Sequence, residues 1–157
     1  MRTKRQNVGD HGERDVARCA PCPNCGKRLK RLPRNYPLYD VQCEGCYFRA
    51  QVKTSGNHPR STIPGAGWSI MSKVLKAGFL APPLIVSFNW KEKKRTQSEM
   101  LFFPFVTKRF MDKYVLGENH RQEGYKMFNY ARLNSLPHFR LVKHGTKTSW
   151  EAGLPEN

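Results

Sequence analysis

The sequence has little negative charge. It carries 12 acidic residues against 28 Lys and Arg, a formal net charge of +16. The basic residues are spread along all 157 positions and do not form a detachable tail. A balance of this kind predicts a polyanionic partner such as nucleic acid.

Long apolar runs are also missing. The longest ones, Phe79–Phe88 and Met100–Val106, contain prolines and fall far short of the ~20 residues that span a bilayer. The first fifteen residues lack the apolar core of a signal peptide. We therefore expect no membrane partner and a cytoplasmic location, where CxxC pairs indicate a metal more often than a disulfide.

Hydrophobic residues make up 38% of the chain. At this length and composition we expect one domain, residues 1–157, with its own core. No internal repeat is visible.

All five cysteines lie close together in the sequence, between residues 19 and 46. Cys22/Cys25 and Cys43/Cys46 are CxxC pairs separated by residues 26–42, a spacing typical of a four-thiolate structural zinc site. Cys19 and Cys22 also form a CxxC, so the register is ambiguous. Gly26 favours the Cys22/Cys25 knuckle, which would leave Cys19 free within a zinc-stapled hairpin over residues 19–55.

Two strands are predicted around the second pair, Pro37–Cys43 and Tyr47–Thr54. Alternation along the second places four side chains on one face: Tyr47, Arg49, Gln51 and Lys53. A short helix is predicted over Asp10–Cys19 with Asp10 as its N-cap, and residues 1–8 are expected to be loose.

These two strands carry a possible catalytic magnesium site. Asp40, the Gln51 amide oxygen and the Val52 carbonyl are oxygen ligands of the kind Mg²⁺ prefers. Lys53 could orient water and balance charge beside a phosphate. Glu13 could add a carboxylate from the first helix, although an ordinary surface role is the simpler interpretation.

Further elements follow from hydrophobic periodicity and turn residues. We expect a helix over Gly65–Lys76 with Trp68, Met71 and Leu75 facing the core. Beyond it lie predicted strands at Pro82–Phe88 and Glu99–Val106, joined by a charged loop over Trp90–Ser98. A helix over Thr107–Leu116, a strand over Pro137–His144 and a frayed end of about a dozen residues complete the prediction.

Residues Cys22 to Val142 resemble the catalytic domain of the DpnI-type restriction endonucleases, in the PD-(D/E)XK nuclease superfamily. The resemblance is carried by CPNCG at Cys22–Gly26, by Asp40 before the second CxxC, by Lys53 after it, and by Ser61–Thr62–Ile63 opening a helix. One position departs from the family pattern: Gln51 stands where the family has glutamate.

The resemblance implies an α/β (α+β) fold: a mixed, mostly antiparallel sheet flanked by helices, with an inserted zinc knuckle. It implies an endonuclease that needs Mg²⁺ and cleaves double-stranded DNA at adenine-methylated, GATC-like sites. Enzymes of this type carry a winged-helix domain after the nuclease domain, which we do not expect within these 157 residues.

DNA contacts are predicted at two places. The segment Lys27–Arg34 between the knuckles is predicted to be a loop, and basic side chains in it and after the second knuckle would meet phosphates: Lys27, Arg28, Lys30, Arg31 and Lys73. The segment Arg121–Tyr125 resembles the family's base-reading loop, with Tyr125 as the aromatic residue and Asn129 as a polar partner. An ordinary core tyrosine is the alternative for Tyr125.

Two other functions are compatible with the residues. The chain could be a zinc-ribbon protein that binds nucleic acid by charge alone, without cleaving it. It could also be a repair or mobile-element nuclease that ignores methylation. The oligomeric state is left open.

Overall fold

The computed structural model describes residues 3–59, 63–67, 73, 76–78, 82–104, 127–130 and 138–153, with only the backbone at 5, 63–67 and 127–130. The elements are α1 (Lys4–Cys19), β1 (Leu29–Arg31), β2 (Val41–Cys43), β3 (Arg49–Ser55), β4 (Ile63–Gly67), β5 (Leu84–Glu92), β6 (Arg95–Phe103), β7 (Met127–Tyr130), β8 (Phe139–His144) and β9 (Lys147–Ala152).

Seven strands form one mixed sheet in the order β1-β2-β3-β5-β6-β8-β9. The β3–β5 pair is parallel, and the other neighbours are antiparallel. Strands β4 and β7 form a separate antiparallel pair. The chain is therefore of the α+β class, and the predicted mixed, mostly antiparallel sheet is confirmed.

Helix α1 begins earlier than predicted. Thr3 is its N-cap: the Gln6 backbone N–H donates to the Thr3 hydroxyl, and the Thr3 backbone N–H donates to the Gln6 side chain. This reciprocal capping box satisfies two N–H groups at the helix start. The prediction that residues 1–8 are loose was wrong for residues 4–8, which are helical, and Asp10 is not the N-cap because it lies inside the helix. Residues 1 and 2 lie outside the described residues.

Helix α1 packs closely against β3. A Cβ at Gly12 would lie 1.7 Å from the Thr54 hydroxyl oxygen, so only glycine permits this approach. Val16 of the same helix and Ala20, its C-cap, are buried in the core with Val41 and Ala50 of the neighbouring strands. Since Glu13 follows Gly12, this packing also determines how closely its carboxylate approaches β3.

The hairpin between β5 and β6 is tighter than predicted. The strands run to Glu92 and from Arg95, and Lys93 and Lys94 turn the chain with φ values of 46° and 64°. Positive φ at both central residues is the geometry of a two-residue hairpin turn. The long charged loop expected over Trp90–Ser98 is therefore largely strand.

The last residues were also mispredicted. Lys147–Ala152 form β9, an edge strand paired with β8, where a frayed end was expected. The Trp150 indole N–H donates to the Pro21 carbonyl at 2.7 Å. This bond ties the end of the described chain to the first knuckle.

Two further predictions need correction. Ile63–Gly67 is a strand, so the helix does not begin at Gly65 and Ile63 does not open one. Lys27–Arg34, expected as a loop, contains β1. The core stripe at Trp68, Met71 and Leu75 and the helix Thr107–Leu116 lie outside the described residues.

In the part of the chain that the structure describes, no helix has the length and apolar character needed to cross a membrane.

Candidate active site and metal centre

Four cysteine sulfurs form one cluster. The Sγ atoms of Cys22, Cys25, Cys43 and Cys46 lie within 4.8 Å of one another. Cys22 and Cys46 are 3.6 Å apart, and Cys25 and Cys43 are 3.4 Å apart. Cys19 is exposed and is not in the cluster. The register with Cys22/Cys25 is therefore the one the structure adopts.

The first knuckle is a tight backbone turn. The Cys22 N–H donates to the Lys27 carbonyl at 2.8 Å, and the Gly26 N–H donates to the Cys22 carbonyl at 2.9 Å. Gly26 has a φ of 77°, in the left-handed region that glycine enters without a steric penalty. The second knuckle begins at Cys43, the last residue of β2.

Nearby N–H groups point at the sulfurs. Backbone N–H groups donate from Asn24 to Cys22 at 3.4 Å and from Gly45 to Cys43 at 3.3 Å. The Asn24 side-chain amide donates to Cys46 at 3.4 Å and lowers the pKa of that thiol to about 6. Burial raises the pKa of Cys22 to about 12.

The cluster fits a structural zinc ion. Four sulfurs at mutual contact distance are the donor set of a closed tetrahedral site. Hydrogen bonds from N–H groups stabilise thiolates, which are the form that binds the metal.

The predicted catalytic residues line a second site, a cleft between α1 and β3 of about 750 Å³. Its polar lining includes Glu13, Asp40, Gln51 and Lys53, with Val52 between the last two. Lys4, Val8, Gly9 and Thr54 complete the wall. The structure thus brings together one carboxylate from the helix, one from the loop before β2, and an amide and an amine from β3.

Asp40 is fixed by β3. Its Oδ2 accepts a hydrogen bond from the Val52 backbone N–H at 2.7 Å, and its own N–H donates to the Ala50 carbonyl at 3.0 Å. The pairing of β2 with β3 ends at Val41 and Ala50. Because the N–H and C=O of one strand residue point to the same edge, the Val52 carbonyl also lies on the Asp40 side of β3.

Keeping the Asp40 carboxylate ionised in this site costs free energy. Burial raises the pKa of Asp40 most, and the nearby Glu13 carboxylate raises it further. The Val52 N–H, Lys53 and Arg31 act in the opposite direction and lower it. A desolvated carboxylate beside another one is stabilised when a cation binds between or beside them.

Gln51 is 9% exposed, and its backbone N–H donates to the Pro83 carbonyl at 2.8 Å. Lys53 is half-buried on the same strand. Both belong to the cleft wall, together with their neighbours Val52 and Thr54.

An ion-pair network covers the Glu13 side of the cleft. Arg31 Nη2 donates to Glu13 Oε2 at 2.9 Å and to Asp10 Oδ1 at 3.2 Å. Arg34 contacts the other Asp10 oxygen at 3.2 Å. Sequence reasoning missed Asp10 in this role. Its i,i+3 spacing from Glu13 on a helix was the available signal, since such residues share a face.

The predicted DNA contacts are placed as follows. Lys27, Arg28, Lys30 and Lys73 are exposed. Arg28, Lys30 and Arg31 line a groove of about 600 Å³ with Arg14 and Arg18 of α1. Asn129 lies in β7 with only its backbone described, and Arg121 and Tyr125 lie outside the described residues. Contact of these residues with DNA stays a prediction.

The chain matches the model of a known protein family. The model of the DpnI family, described as the Dam-replacing family, matches residues 2–149. That range contains the thiol cluster and every residue that lines the cleft. No curated protein matches the chain at a significant level.

Proposed function

The chain belongs to the DpnI family, the Dam-replacing family, and from this premise we propose that it is a Mg²⁺-dependent endonuclease that cleaves double-stranded DNA. Family membership makes it a restriction-related protein that acts on DNA. The observation that carries the enzymatic proposal is the single cleft lined by Glu13, Asp40, Gln51 and Lys53. Two carboxylates, an amide and an amine are the parts a metal-dependent phosphodiesterase requires, whereas charge-only binding requires none of them.

The donor set suits magnesium. Asp40, Gln51 and the Val52 carbonyl would hold the ion, and Glu13 would add a carboxylate from α1. When bound, Mg²⁺ would stabilise the charge that develops on the phosphate and the leaving oxygen.

The residues of the cleft have distinct roles in this mechanism. The Lys53 ammonium orients the attacking water and offsets negative charge at the phosphate. The Val52 N–H holds one Asp40 oxygen and leaves the other available. Helix α1 and β3 exclude bulk water from one side of the cleft, which strengthens each of these electrostatic interactions.

The thiol cluster would hold a structural zinc ion. Four thiolates leave no open position for water or substrate, so this ion would not take part in cleavage. It would instead fix the two knuckles that flank β1 and β2, and with them the loop that carries Asp40.

We further propose the PD-(D/E)XK fold and adenine-methylated, GATC-like DNA as the substrate. Both rest on family membership. Tyr125 and Asn129 are the proposed base-reading residues, with Arg121 in the same segment.

Plasmid cleavage tests the proposal. Plasmid from a methylating and a non-methylating host is incubated with the protein in Mg²⁺ or in EDTA. We expect cleavage of methylated DNA in Mg²⁺ alone, and its loss in Lys53→Ala and Asp40→Ala. Lys91→Ala, an exposed position on β5, is the matched control and should cleave normally.

The outcomes separate the competing functions. Equal cleavage of both plasmids would indicate a methylation-independent nuclease. DNA binding without cleavage in Mg²⁺ or Mn²⁺ would indicate a non-enzymatic zinc-ribbon protein. Normal cleavage by both Lys53→Ala and Asp40→Ala would place the active site elsewhere.

A further inference from the structure

Arg49 is a cation held by neutral groups. It is the first residue of β3, and its guanidinium donates from Nε to the Gln42 side-chain oxygen at 3.1 Å and from Nη1 to the Tyr36 hydroxyl at 3.0 Å. The guanidinium carbon lies 5.6 Å from the centre of the Tyr36 ring and 6.0 Å from that of the Tyr39 ring. Four neutral contacts from three side chains therefore fix its position.

This arrangement differs from that of four other arginines in the structure. Arg18, Arg31, Arg34 and Arg140 each pair with a carboxylate. Among the described residues no carboxylate pairs with Arg49, and its Nη2 group has no acceptor. A half-buried cation that is oriented but not neutralised is prepared to bind an anion.

The position of Arg49 relative to the proposed cleavage site indicates which anion it would bind. Arg49, Gln51 and Lys53 alternate along β3, so their side chains share one face, with Arg49 and Lys53 roughly 13 Å apart along the strand. Tyr36 lines a cleft of about 450 Å³ that also contains Asp40 and Glu13. An anion on Arg49 would thus lie beside the proposed cleavage site and would not be the attacked phosphate itself.

We propose that Arg49 is a DNA-positioning residue that binds a backbone phosphate near the one that is cleaved. The inference rests on the proposed function. Tyr36, Tyr39 and Gln42 orient the guanidinium before DNA arrives, so that little side-chain entropy is lost on binding. Planar, bidentate donation to phosphate explains why arginine, with two aromatic rings against it, suits this position better than lysine.

The test is a salt series of DNA binding in EDTA, which measures affinity without cleavage. Loss of one phosphate contact lowers the slope of log affinity against log salt by about 1. Arg49→Ala should show this change together with about 10- to 100-fold weaker binding. Arg95→Ala is the matched control, because it removes an exposed arginine at the hairpin end of β6, roughly 33 Å away along the sheet. It should change the salt slope and the affinity less than Arg49→Ala does.

Two further variants distinguish positioning from a structural role. Tyr36→Phe keeps the ring and every charge but removes the hydroxyl that orients Nη1. It should weaken binding while the salt slope stays that of the parent. Arg49→Lys keeps the charge but lacks the planar, bidentate guanidinium. Its salt slope should therefore equal that of the parent, while only part of the parent's affinity remains.

Three results would overturn the inference. In the first, Arg49→Ala lowers thermal stability but leaves the salt slope unchanged, which would make Arg49 a structural residue. In the second, Arg49→Ala and Arg95→Ala change binding equally, which would make Arg49 one surface charge among many. In the third, the parent fails to bind DNA in any salt, which would remove the proposed function as well. If the parent protein binds and cleaves DNA, the first or second result removes this inference and leaves the proposed function in place.

Discussion

Residues of the proposed catalytic cleft are recognisable by chemistry more than by conformation. Lys53 falls on a strand whose alternation can be derived from the sequence, Asp40 directly precedes β2, and the structure places both in one cleft with Gln51. Glu13 was ambiguous, because nothing in its local sequence shows that Gly12 allows the helix to approach β3 so closely. Contacts between elements distant in sequence decide which carboxylate reaches the site.

Replacement of Gln51 tests whether its side-chain amide is a ligand of the proposed Mg²⁺ site. Gln51→Glu adds a carboxylate at a position only 9% exposed, in the cleft that already holds Asp40 and Glu13. Burial and like charge disfavour that carboxylate unless a cation binds. We expect a lower melting temperature than the parent in EDTA, recovery in Mg²⁺, and cleavage at a lower Mg²⁺ concentration. The measurements are a thermal melt with and without metal and a Mg²⁺ titration of the cleavage rate.

Gln97→Glu is the control for this change, since it adds the same charge at an exposed position of β6. Its melting temperature should not depend on Mg²⁺. A higher Mg²⁺ requirement in Gln51→Glu than in the parent would contradict a role for this residue as a metal ligand.

Elements were predictable where local signals are strong. The two knuckles follow from CxxC spacing and Gly26, and the strands after them follow from alternation. The capping box of α1 was present in Thr3 and Gln6 but was overlooked because the segment is polar, with Val16 as the deeply buried residue of the helix. Strand β9 is polar along most of its length and is stabilised by pairing with β8 and by the Trp150 bond to Pro21. Such tertiary support leaves no periodic pattern in the sequence.

The contact between α1 and β3 can be tested with two glycines of one helix. Gly12→Ala places a methyl group 1.7 Å from the Thr54 hydroxyl oxygen and 2.8 Å from its Cβ, so the helix must shift. We expect a loss of roughly 1–3 kcal/mol in the free energy of unfolding and weaker cleavage, because Glu13 shifts with the helix. Gly9→Ala meets nothing within 4 Å and should stabilise the helix by about 0.5–1 kcal/mol. Urea denaturation gives the free energy of unfolding of each variant. Equal free energies for the two variants would contradict the close packing of Gly12 against Thr54.

The two knuckles can be tested with two cysteines. Cys43→Ser removes one ligand of the proposed zinc site, and we expect loss of bound zinc and a lower melting temperature, because metal-binding energy contributes to folding. Cys19→Ser changes an exposed cysteine outside the cluster and should retain the metal. Elemental analysis of the folded proteins gives the zinc content. Zinc-free folded parent protein, or full zinc content in Cys43→Ser, would show that the thiol cluster is not a zinc site.

The whole molecule joins a thiol cluster, a catalytic cleft and a positively charged surface through a few elements. Helix α1 contributes Glu13 to the cleft. It also contributes Arg14 and Arg18 to the groove that Arg28 lines. Strand β1 contributes Lys30 to that groove and Arg31 to both the groove and the Glu13 ion pair. A bound DNA backbone on the groove would therefore lie close to the cleft, and the net charge of +16 would act on the same ligand that the cleft is proposed to cleave.

The affinity for DNA should consequently depend steeply on salt. Each neutralised phosphate releases counterions, so a protein with roughly 6–10 phosphate contacts loses about 10³- to 10⁵-fold in affinity between about 50 and 200 mM salt. We expect this range for a chain with 28 basic residues against 12 acidic ones, measured in EDTA so that cleavage does not interfere. Thermal melts at each salt concentration serve as the control that the protein stays folded. A folded protein whose affinity does not change over this range would not bind DNA mainly through phosphates, and the exposed Lys27, Arg28 and Lys30 would then have another role.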